Sequence, residues 1–443
     1  MPRTRYAPSS RTESHLPPAS LPTEALEQLA LPFSEFIAAF FGVLEATGVR
    51  CCVLRNYQEF PARNIGNDID LLIAPTALPS AVHALRSIPG VRIVGYTQRP
   101  YVSNFFLEGI SQNTDSCALE IDLDLRLIWK GLPYLSVEEV LEAAVAHPVG
   151  DATFYAPAPV HEAIISLFSS LLVGGWLKEK YFPQVRETFS ECRTEVIAAL
   201  LPRFGSEVAT RLADAVISGD RSRILGMIGP LRRALLLCSL RRHPLRSIGA
   251  IFHHYTSELC FRHSPQSREA VSILALDARD RTPITQTLLP RLQSFATKIE
   301  SEAAETTAQT GFGSAASLLR WMMRDWLSLL TERKSLTLTV REGCGPLFRD
   351  AAGQPDSPAW LARLAGRLTP AHDLCILLQE GAEENPAASS SRHEACRAFL
   401  QTRKRSVVLD TSQPVETVTE GAYAAIVDAL VQRAEKRLKK RFP

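Results

Sequence analysis

The sequence predicts a multidomain protein of α/β and α+β class, with a small mixed-sheet domain, a helical middle segment and a doubly wound C-terminal domain. The chain has 443 residues, which is enough for two or three domains. Two short segments before residue 150 alternate apolar and acidic residues, as half-buried strands do. After residue 265, strand-like and helical segments alternate, which is typical of a doubly wound parallel sheet.

Composition narrows the classes of function. Residues 1–25 are rich in Pro, Ser, Thr and Arg and lack the apolar stretch of a signal peptide, so we expect a disordered tail. No apolar run approaches the roughly 18 residues of a spanning helix. The net charge of +2 argues against a dedicated nucleic-acid binder. The nine cysteines show no C-x-x-C spacing, which favours reduced thiols and a cytoplasmic protein.

Residues 26–150 are expected to form the small domain. Apolar residues between 31 and 46 recur at helical spacing, and the segment R-C-C-V-L at 50–54 resembles a strand. A loop rich in Asn, Pro and Gly leads into the first acidic segment, G-N-D-I-D-L-L-I at 66–73. Further strand-like segments precede the second acidic segment, L-E-I-D-L-D-L at 119–125. This order predicts a mixed sheet covered by helices.

The two acidic segments carry the clearest chemical signal. Period-two alternation places Asp68 and Asp70 on one face of the first strand, and Glu120, Asp122 and Asp124 on one face of the second. Carboxylates crowded on one face raise one another's pKa unless a cation lies between them. Two such strands side by side would suit Mg²⁺ and a nucleotide phosphate. Alternating acids can also be a solvated sheet face, and a single D-x-D would favour that interpretation.

The pattern of strand, Asn/Gly-containing loop, D-I-D strand and later I-D-L strand resembles the nucleotidyltransferase superfamily that shares the DNA polymerase beta core. The resemblance covers roughly residues 30–150. It implies that Asp68, Asp70 and Asp122 hold divalent metal, that an NTP is the co-substrate, and that Asp122 helps to deprotonate an acceptor hydroxyl. Asp124 shares the same face and is the alternative third carboxylate.

The same resemblance suggests which residues contact the nucleotide. Many members carry a Gly-Gly or Gly-Ser pair before the loop, whereas this chain has L-R-N-Y at 54–57, a form similar to one branch of the superfamily. We assign the cofactor-binding role to Arg55, Asn56, Gly66 and Asn67. The Arg55 guanidinium is suited to phosphate because it can donate two parallel hydrogen bonds.

Residues 151–265 are predicted to be helical. We expect Lys178, Lys180 and Tyr181 to form the far wall of the site and to contact the acceptor. The segment also carries several arginines: Arg232, Arg233, Arg241, Arg242 and Arg246. Solvated helix faces explain them best, and a phosphate-binding or membrane-surface patch is the alternative.

Residues 266–443 resemble the thymidylate kinase branch of P-loop proteins in pattern. The segment S-I-L-A-L-D-A-R-D-R-T at 272–282 stands where such kinases have a strand and a glycine-rich phosphate loop. Here Ala275, Ala278 and Asp280 replace glycines, Arg281 replaces the lysine, and Pro283 is expected at the start of a helix from about Ile284. The segment V-V-L-D-T-S-Q-P-V-E-T-V at 407–418 resembles the closing strand and helix. The resemblance therefore implies a degenerate, catalytically silent kinase-like domain.

Together these features predict a Mg²⁺-dependent nucleotidyltransferase that acts on a small-molecule or carbohydrate hydroxyl. One alternative is a non-catalytic scaffold or regulatory protein that uses both nucleotide folds for binding. The other is a working nucleoside monophosphate kinase with an unorthodox loop. The identity of the acceptor, the preferred NTP and self-association into a homo-oligomer are left open.

Overall fold

The computed structural model describes residues 30–442, except 65–67, 112–117, 264–267, 276–277, 294–297, 303–336, 343–373, 380–397, 399 and 403–404. Over these residues the protein is of mixed α/β class. Among the described helices, none combines the length and the apolar character that crossing a membrane requires.

The N-terminal part of the chain builds a mixed five-stranded sheet. The described strands of this part, which also include three two-stranded pairs, are β1 (Leu31–Pro32), β2 (Cys51–Val53), β3 (Asp68–Ile73), β4 (Arg92–Gln98), β5 (Val102–Glu108), β6 (Ile110–Ser111), β7 (Ala118–Asp124), β8 (Ile128–Trp129), β9 (Leu132–Pro133), β10 (Val145–Val149) and β11 (Ala152–Ala156). Its helices are α1 (Phe33–Ala46), α2 (Leu78–Ser87) and α3 (Val137–Glu142). The sheet has the order β2-β3-β7-β5-β4. The pair β3–β7 is parallel, and the other neighbours are antiparallel.

One face of this sheet covers a continuous apolar core. Side chains at alternate positions of β3 and β7 point into it, including Ile69, Leu71 and Ile121, and the phenylalanines of α1 pack against them. The hairpin β10–β11 adds Phe154 to the same core. This hairpin crosses the expected domain boundary at residue 150, because its second strand is needed to complete the core.

The other face of the sheet is divided into two apolar patches with a polar strip between them. At the β2 side, Cys52 and Leu72 pack into the core of the helical segment. At the β4 side, Val94 and Phe106 pack into the core of the C-terminal part. The polar strip between the patches belongs to β3, β7 and β5, where the carboxylates lie. The helical segment and the C-terminal part, which cover the two patches, therefore leave a cleft above the acidic side chains.

Residues 159–263 are helical, as the sequence predicts. The helices are α4 (Pro159–Phe168), α5 (Phe182–Glu191), α6 (Arg193–Phe204), α7 (Ser206–Ser218), α8 (Arg221–Gly226), α9 (Ile228–Arg242) and α10 (Pro244–His263), with a π-helical turn at Ser169–Gly174 and a 3₁₀ turn at Glu179–Tyr181. The expectation of solvated arginines is wrong for Arg232, whose guanidinium donates to the Leu172 carbonyl at 2.8 and 3.1 Å and is part-buried. Arg233, Arg241, Arg242 and Arg246 are exposed.

The C-terminal part contains a second five-stranded sheet in which every pairing is parallel. Its strands are β12 (Arg268–Ala275), β13 (Lys298–Glu302), β14 (Thr337–Glu342), β15 (Leu374–Gln379) and β16 (Ser406–Asp410), in the order β13-β14-β12-β15-β16. Two helices of this part are α11 (Ala278–Gln293) and α12 (Val415–Arg441). Expected helices at 314–330 and 358–368 lie outside the described residues.

Helix α11 begins earlier than the sequence predicts. It starts at Ala278, not near Ile284, so Pro283 is the sixth residue of the helix instead of its first. Proline already has a helical φ and removes only its own N–H from the hydrogen-bond ladder, so the chain can remain helical around it at a cost.

Helix α12 joins the two sheets. Tyr423 and Ile426, in its first half, belong to the core of the C-terminal part. Ala434 and Leu438, near its end, belong to the core under the N-terminal sheet. The last helix is therefore shared between both folding units and fixes the β4 edge of the first sheet against the second.

Candidate active site

Three carboxylates converge on the polar strip of the first sheet. Asp70 and Asp122 are register partners on β3 and β7, and Asp68 is the partner of Glu120. Side chains two residues apart on a strand share a face, and register partners on adjacent strands point to the same face. Asp68, Asp70 and Asp122 therefore project to the same side. Each offers a carboxylate oxygen, and these oxygens all lie within 4.8 Å of one another. The structure thus brings together the three residues that the sequence singles out as metal ligands.

Arg55 lies directly over this group. The Leu54 amide, just beyond β2, donates to the Asp70 carbonyl at 2.9 Å, which holds the following residue beside β3. Arg55 Nε donates to Asp70 Oδ2 at 2.5 Å, and Nη2 donates to Oδ1 at 2.8 Å. Asp70 is only 5% exposed. The pair is a two-pronged, charge-assisted contact that orients the central carboxylate.

Asn104 orients the third carboxylate. It is the register partner of Asp122 on β5, and its Nδ2 donates to Asp122 Oδ1. Thr97 on β4 in turn donates its hydroxyl to Asn104 Oδ1 at 3.1 Å. This Thr97–Asn104–Asp122 relay fixes the carboxylate from a neighbouring strand. Asn104 carries no sequence signal, because its role depends on the strand pairing.

The acidic groups are electrostatically destabilised. Burial, with the charge of Asp70, raises the pKa of Asp68 above its ordinary value. Burial, together with Asp70 and Asp68, raises the pKa of Asp122 to about 7. Burial, together with Asp122, Asp68 and Asp70, raises the pKa of Glu120 to about 8. Such a cluster gains free energy when a cation enters it.

The cleft above the strip has a volume of about 330 Å³. Asp70, Asp122 and Glu120 line it, and so does Asp124, whose pKa is raised well above its ordinary value by burial. Asp124 shares the face of Asp122, but it is not among the carboxylates that meet within 4.8 Å. Of the two candidates for the third ligand, Asp122 is therefore the one that joins the pair on β3.

Positively charged and aromatic side chains form the rim of the cleft. Arg99 directly follows β4, its guanidinium carbon lies 4.4 Å from the ring centroid of Phe261 on α10, and both residues line the cleft. Neither is marked in the sequence, because α10 is far from β4 along the chain. Arg99 and Arg55 thus provide two cations beside the acidic strip.

The predicted nucleotide-contacting residues are only partly described. Asn56 has a left-handed backbone, with φ of 60°, and its Oδ1 accepts from Lys180 Nζ at 3.2 Å and from the Tyr181 hydroxyl at 3.1 Å. Lys178 lies over the Tyr181 ring, with Nζ 4.8 Å from the ring centroid. The expected far wall is thus adjacent to Asn56. Gly66 and Asn67 lie outside the described residues.

A second contact ties the same loop to the helical segment. The Tyr57 hydroxyl donates to Glu162 Oε2 on α4 at 2.9 Å, and Gln184 on α5 donates to Glu162 Oε1 at 3.4 Å. Burial raises the pKa of the Glu162 carboxyl. These contacts, together with those of Asn56, make the loop after β2 part of the helical segment's surface and fix the position of Arg55.

The connection between β12 and α11 is short in sequence. Two residues separate the end of β12 at Ala275 from the start of α11 at Ala278. A phosphate loop needs a longer, glycine-rich turn whose amides surround the phosphates. Asp280 and Arg281, which correspond to the end of such a loop in the resemblance, are residues of α11.

Comparison of the chain with models of known protein families finds no match, and comparison with curated proteins finds none either.

Proposed function

We propose that the protein is a Mg²⁺-dependent nucleotidyltransferase that transfers a nucleotidyl group from an NTP to a hydroxyl acceptor. One observation carries the proposal: oxygens of Asp68, Asp70 and Asp122, on two adjacent parallel strands, lie within 4.8 Å of one another at a cleft. The D-x-D strand with a third acid on the neighbouring strand is the arrangement implied by the family resemblance. The cytoplasm is the proposed location.

The donor atoms suit Mg²⁺. All three groups are carboxylates, and hard oxygen ligands are the ones that this ion prefers. The raised pKa values of Asp68 and Asp122 reflect burial and mutual repulsion, both of which a divalent cation would offset. Bound by these residues, Mg²⁺ would neutralise charge on the phosphates of the NTP and make the α-phosphorus more electrophilic.

The protein's own side chains would then position the reactants. The acceptor hydroxyl oxygen forms a bond to the α-phosphorus, the bond from that phosphorus to the α–β bridging oxygen breaks, and pyrophosphate leaves. Asp122 accepts the hydroxyl proton at Oδ2, because Oδ1 is engaged by Asn104. Arg55 and Arg99 contact the phosphate oxygens; Arg55 does so through Nη1, because its Nε and Nη2 donate to Asp70.

The size of the cleft and the polar groups near it support a small acceptor. Its volume of about 330 Å³ is at the lower end of ordinary small-molecule sites. Polar groups from Asn56, Lys180 and Tyr181 lie beside the loop that holds Arg55. Such donors and acceptors suit a sugar or another small alcohol with several hydroxyl groups. We therefore propose a small-molecule or carbohydrate acceptor.

We propose that the C-terminal domain is a doubly wound kinase-like fold without kinase activity. The short connection between β12 and α11 supports this, since it lacks the glycines and the length of a phosphate loop. Phosphate transfer from ATP to dTMP that disappears in Arg281→Ala would contradict it and would support the kinase alternative.

The experiment compares the wild type with Asp68→Asn/Asp70→Asn in Mg²⁺-dependent NTP binding and in pyrophosphate release with mixed sugar acceptors. Asp214→Asn/Glu207→Gln, which removes two exposed acids of α7, is the matched control. We expect loss of both signals in the first double variant and wild-type values in the control. Equal binding and turnover in all three proteins would leave the non-catalytic scaffold as the better account.

A further inference from the structure

Helix α10 exposes a row of large apolar side chains. Leu245, Ile248, Phe252, Tyr255 and Leu259 recur at alternating spacings of three and four residues, which places them on one face of the helix. Leu245 is 85% exposed, and Phe252 is 69% exposed. These five residues are called the apolar stripe. Scattered single apolar residues are ordinary on a protein surface, but a contiguous row marks an interaction site.

The chain around the stripe is strongly basic. From residue 221 to residue 257 there is no Asp or Glu, whereas the segment has the following arginines: Arg221, Arg223, Arg232, Arg233, Arg241, Arg242 and Arg246. Arg241, Arg242 and Arg246 lie where α9 ends and α10 begins, and they are called the arginine corner. All three are exposed, and among the described residues none of them forms an ion pair within 4.0 Å. The chain's net charge is only +2, so this concentration of positive charge is local.

Contacts elsewhere on α10 determine which side of the helix faces outward. Gly131, at the β8–β9 turn with φ of 87°, lies so close to the Ala250 carbonyl that a Cβ there would be 2.4 Å from it. Near the end of α10, Glu258 accepts from the Tyr101 hydroxyl at 2.6 Å, and Phe261 is buried under Arg99. Glu258 is the one acid in the sequence of α10, and it is thus engaged with Tyr101, which lies between β4 and β5.

The arginine corner is also fixed in place. The Ser247 hydroxyl donates to the Ser239 carbonyl at 2.9 Å, which joins the last turn of α9 to the first turn of α10. Ser247 is buried, whereas its neighbours Arg246 and Ile248 are exposed. The corner therefore presents guanidinium groups and the Leu245 and Ile248 side chains together.

We propose that the apolar stripe and the arginine corner form a docking surface for an anionic lipid membrane. A helix with apolar residues on one face and basic residues beside them lies in the membrane interface, with the apolar residues among acyl chains and the cations at lipid phosphates. Long arginine side chains can reach the headgroups while their stems contact apolar surface.

Charge and side-chain type favour this occupant over two others. A second copy of the chain would present the same arginine corner, with no free acid in residues 221–257 to meet it. A nucleic acid would match the charge but would leave the Leu245 and Ile248 side chains without an apolar partner, whereas single-strand binding uses aromatic rings on which bases stack. An anionic membrane satisfies both features of the surface.

The full-length protein is sedimented with vesicles of phosphatidylcholine alone and with vesicles containing equal parts of phosphatidylcholine and phosphatidylglycerol. We expect binding only to the anionic vesicles. Arg241→Gln/Arg242→Gln/Arg246→Gln should weaken this partition about a hundredfold, and Leu245→Ser/Phe252→Ser at least about tenfold. All five substitutions are at exposed positions, so circular dichroism should show the wild-type fold.

Arg50→Gln/Arg86→Gln/Lys440→Gln is the matched control, because it removes three exposed cations far from α10 in the sequence. It should bind anionic vesicles within about twofold of the wild type. Absence of vesicle binding, or equal weakening by both triple variants, would overturn the proposal. A change of oligomeric state in Leu245→Ser/Phe252→Ser without vesicles would assign the stripe to a second copy. Tighter binding to single-stranded DNA than to anionic vesicles would assign the corner to nucleic acid.

Discussion

Asp70 and Asp122 lie opposite each other as register partners on the parallel strands β3 and β7. Each is held by a separate neighbour: Asp70 by the Arg55 guanidinium from the loop after β2, and Asp122 by the Asn104 amide from β5. The two central carboxylates are therefore positioned from both sides of the strand pair. Their orientation depends on the strand pairing and not on the acidic segments alone.

The choice between Asp122 and Asp124 as the third ligand can be tested. Asp122 meets Asp68 and Asp70 within 4.8 Å, whereas Asp124 lines the same cleft without joining them. We expect Asp122→Asn to weaken Mn²⁺ binding, measured by calorimetry, by about 10- to 100-fold, and Asp124→Asn to change it by less than about threefold. The opposite order would make Asp124 the ligand.

The carboxylates of the polar strip should make the metal-free protein less stable at high pH. The pKa values of Glu120 and Asp122, about 8 and about 7, lie above the roughly 4 expected in the unfolded chain. The folded state therefore binds more protons between those values, and the free energy of unfolding falls as pH rises through that window. Below about pH 4, Glu120 and Asp122 are protonated in both the folded and the unfolded state, and the stability that their raised pKa values contribute is fully present.

Glu120→Gln should remove part of this pH dependence. Without divalent metal at about pH 8, we expect it to raise the free energy of unfolding by roughly 1–3 kcal/mol, since it removes a destabilised charge. Urea denaturation at several pH values measures the effect. Glu207→Gln, an exposed acid of α7, is the control and should leave the slope unchanged. A Glu120→Gln slope equal to that of the wild type would contradict the electrostatic account.

Arg55 should stabilise the fold through Asp70. Asp70 is 5% exposed, so Arg55→Ala leaves a buried carboxylate without its partner. We expect the free energy of unfolding to fall by about 2–4 kcal/mol in metal-free buffer. Arg63 offers a matched control, because it also makes a two-pronged contact with a carboxylate, that of Glu59, but on the exposed surface.

Arg63→Ala should therefore cost at most about 0.5 kcal/mol by the same denaturation measurement. Mg²⁺ should recover part of the loss in Arg55→Ala, because the metal ion then supplies the positive charge beside Asp70 that Arg55 supplied. Equal losses in the two alanine variants would mean that burial of Asp70 has no energetic consequence.

The left-handed backbone at Asn56 allows its two roles to be separated. Its φ is 60°, and its side chain accepts from Lys180 and Tyr181. Asn56→Gly keeps the backbone freedom and loses the acceptor, so we expect a loss of about 1 kcal/mol. Asn56→Ala loses both and should cost about 1 kcal/mol more. Thermal unfolding compares them, and identical values for the two variants would rule out backbone strain.

Several features of the site are readable from the sequence because they depend on local alternation. Asp68 and Asp70 share one face as soon as their segment is a strand, Glu120, Asp122 and Asp124 share one face of theirs, and Cys51 and Cys52 lie on opposite faces for the same reason. A period of two residues is intrinsic to a strand, so no tertiary information is needed for these assignments.

Other features depend on which strands become neighbours. Asn104 reaches Asp122 only because β5 pairs with β7, and Phe261 reaches the cleft only because the end of α10 lies against Arg99. The cores that cover the two apolar patches beside the polar strip come from different parts of the chain. The early start of α11 shows a further limit, since helical geometry tolerates Pro283 in its interior. Pairing and packing over long sequence separations decide these points.

Mg²⁺-dependent binding of a non-hydrolysable NTP analogue, measured by calorimetry for the wild type and for Asp70→Asn/Asp122→Asn, tests the central claim most directly. We expect the wild type to bind the analogue only when Mg²⁺ is present, and the double variant to lose this dependence along with at least about tenfold in affinity. Wild-type affinity and wild-type Mg²⁺ dependence in the double variant would contradict the assignment of the acidic cleft as the nucleotidyl-transfer site.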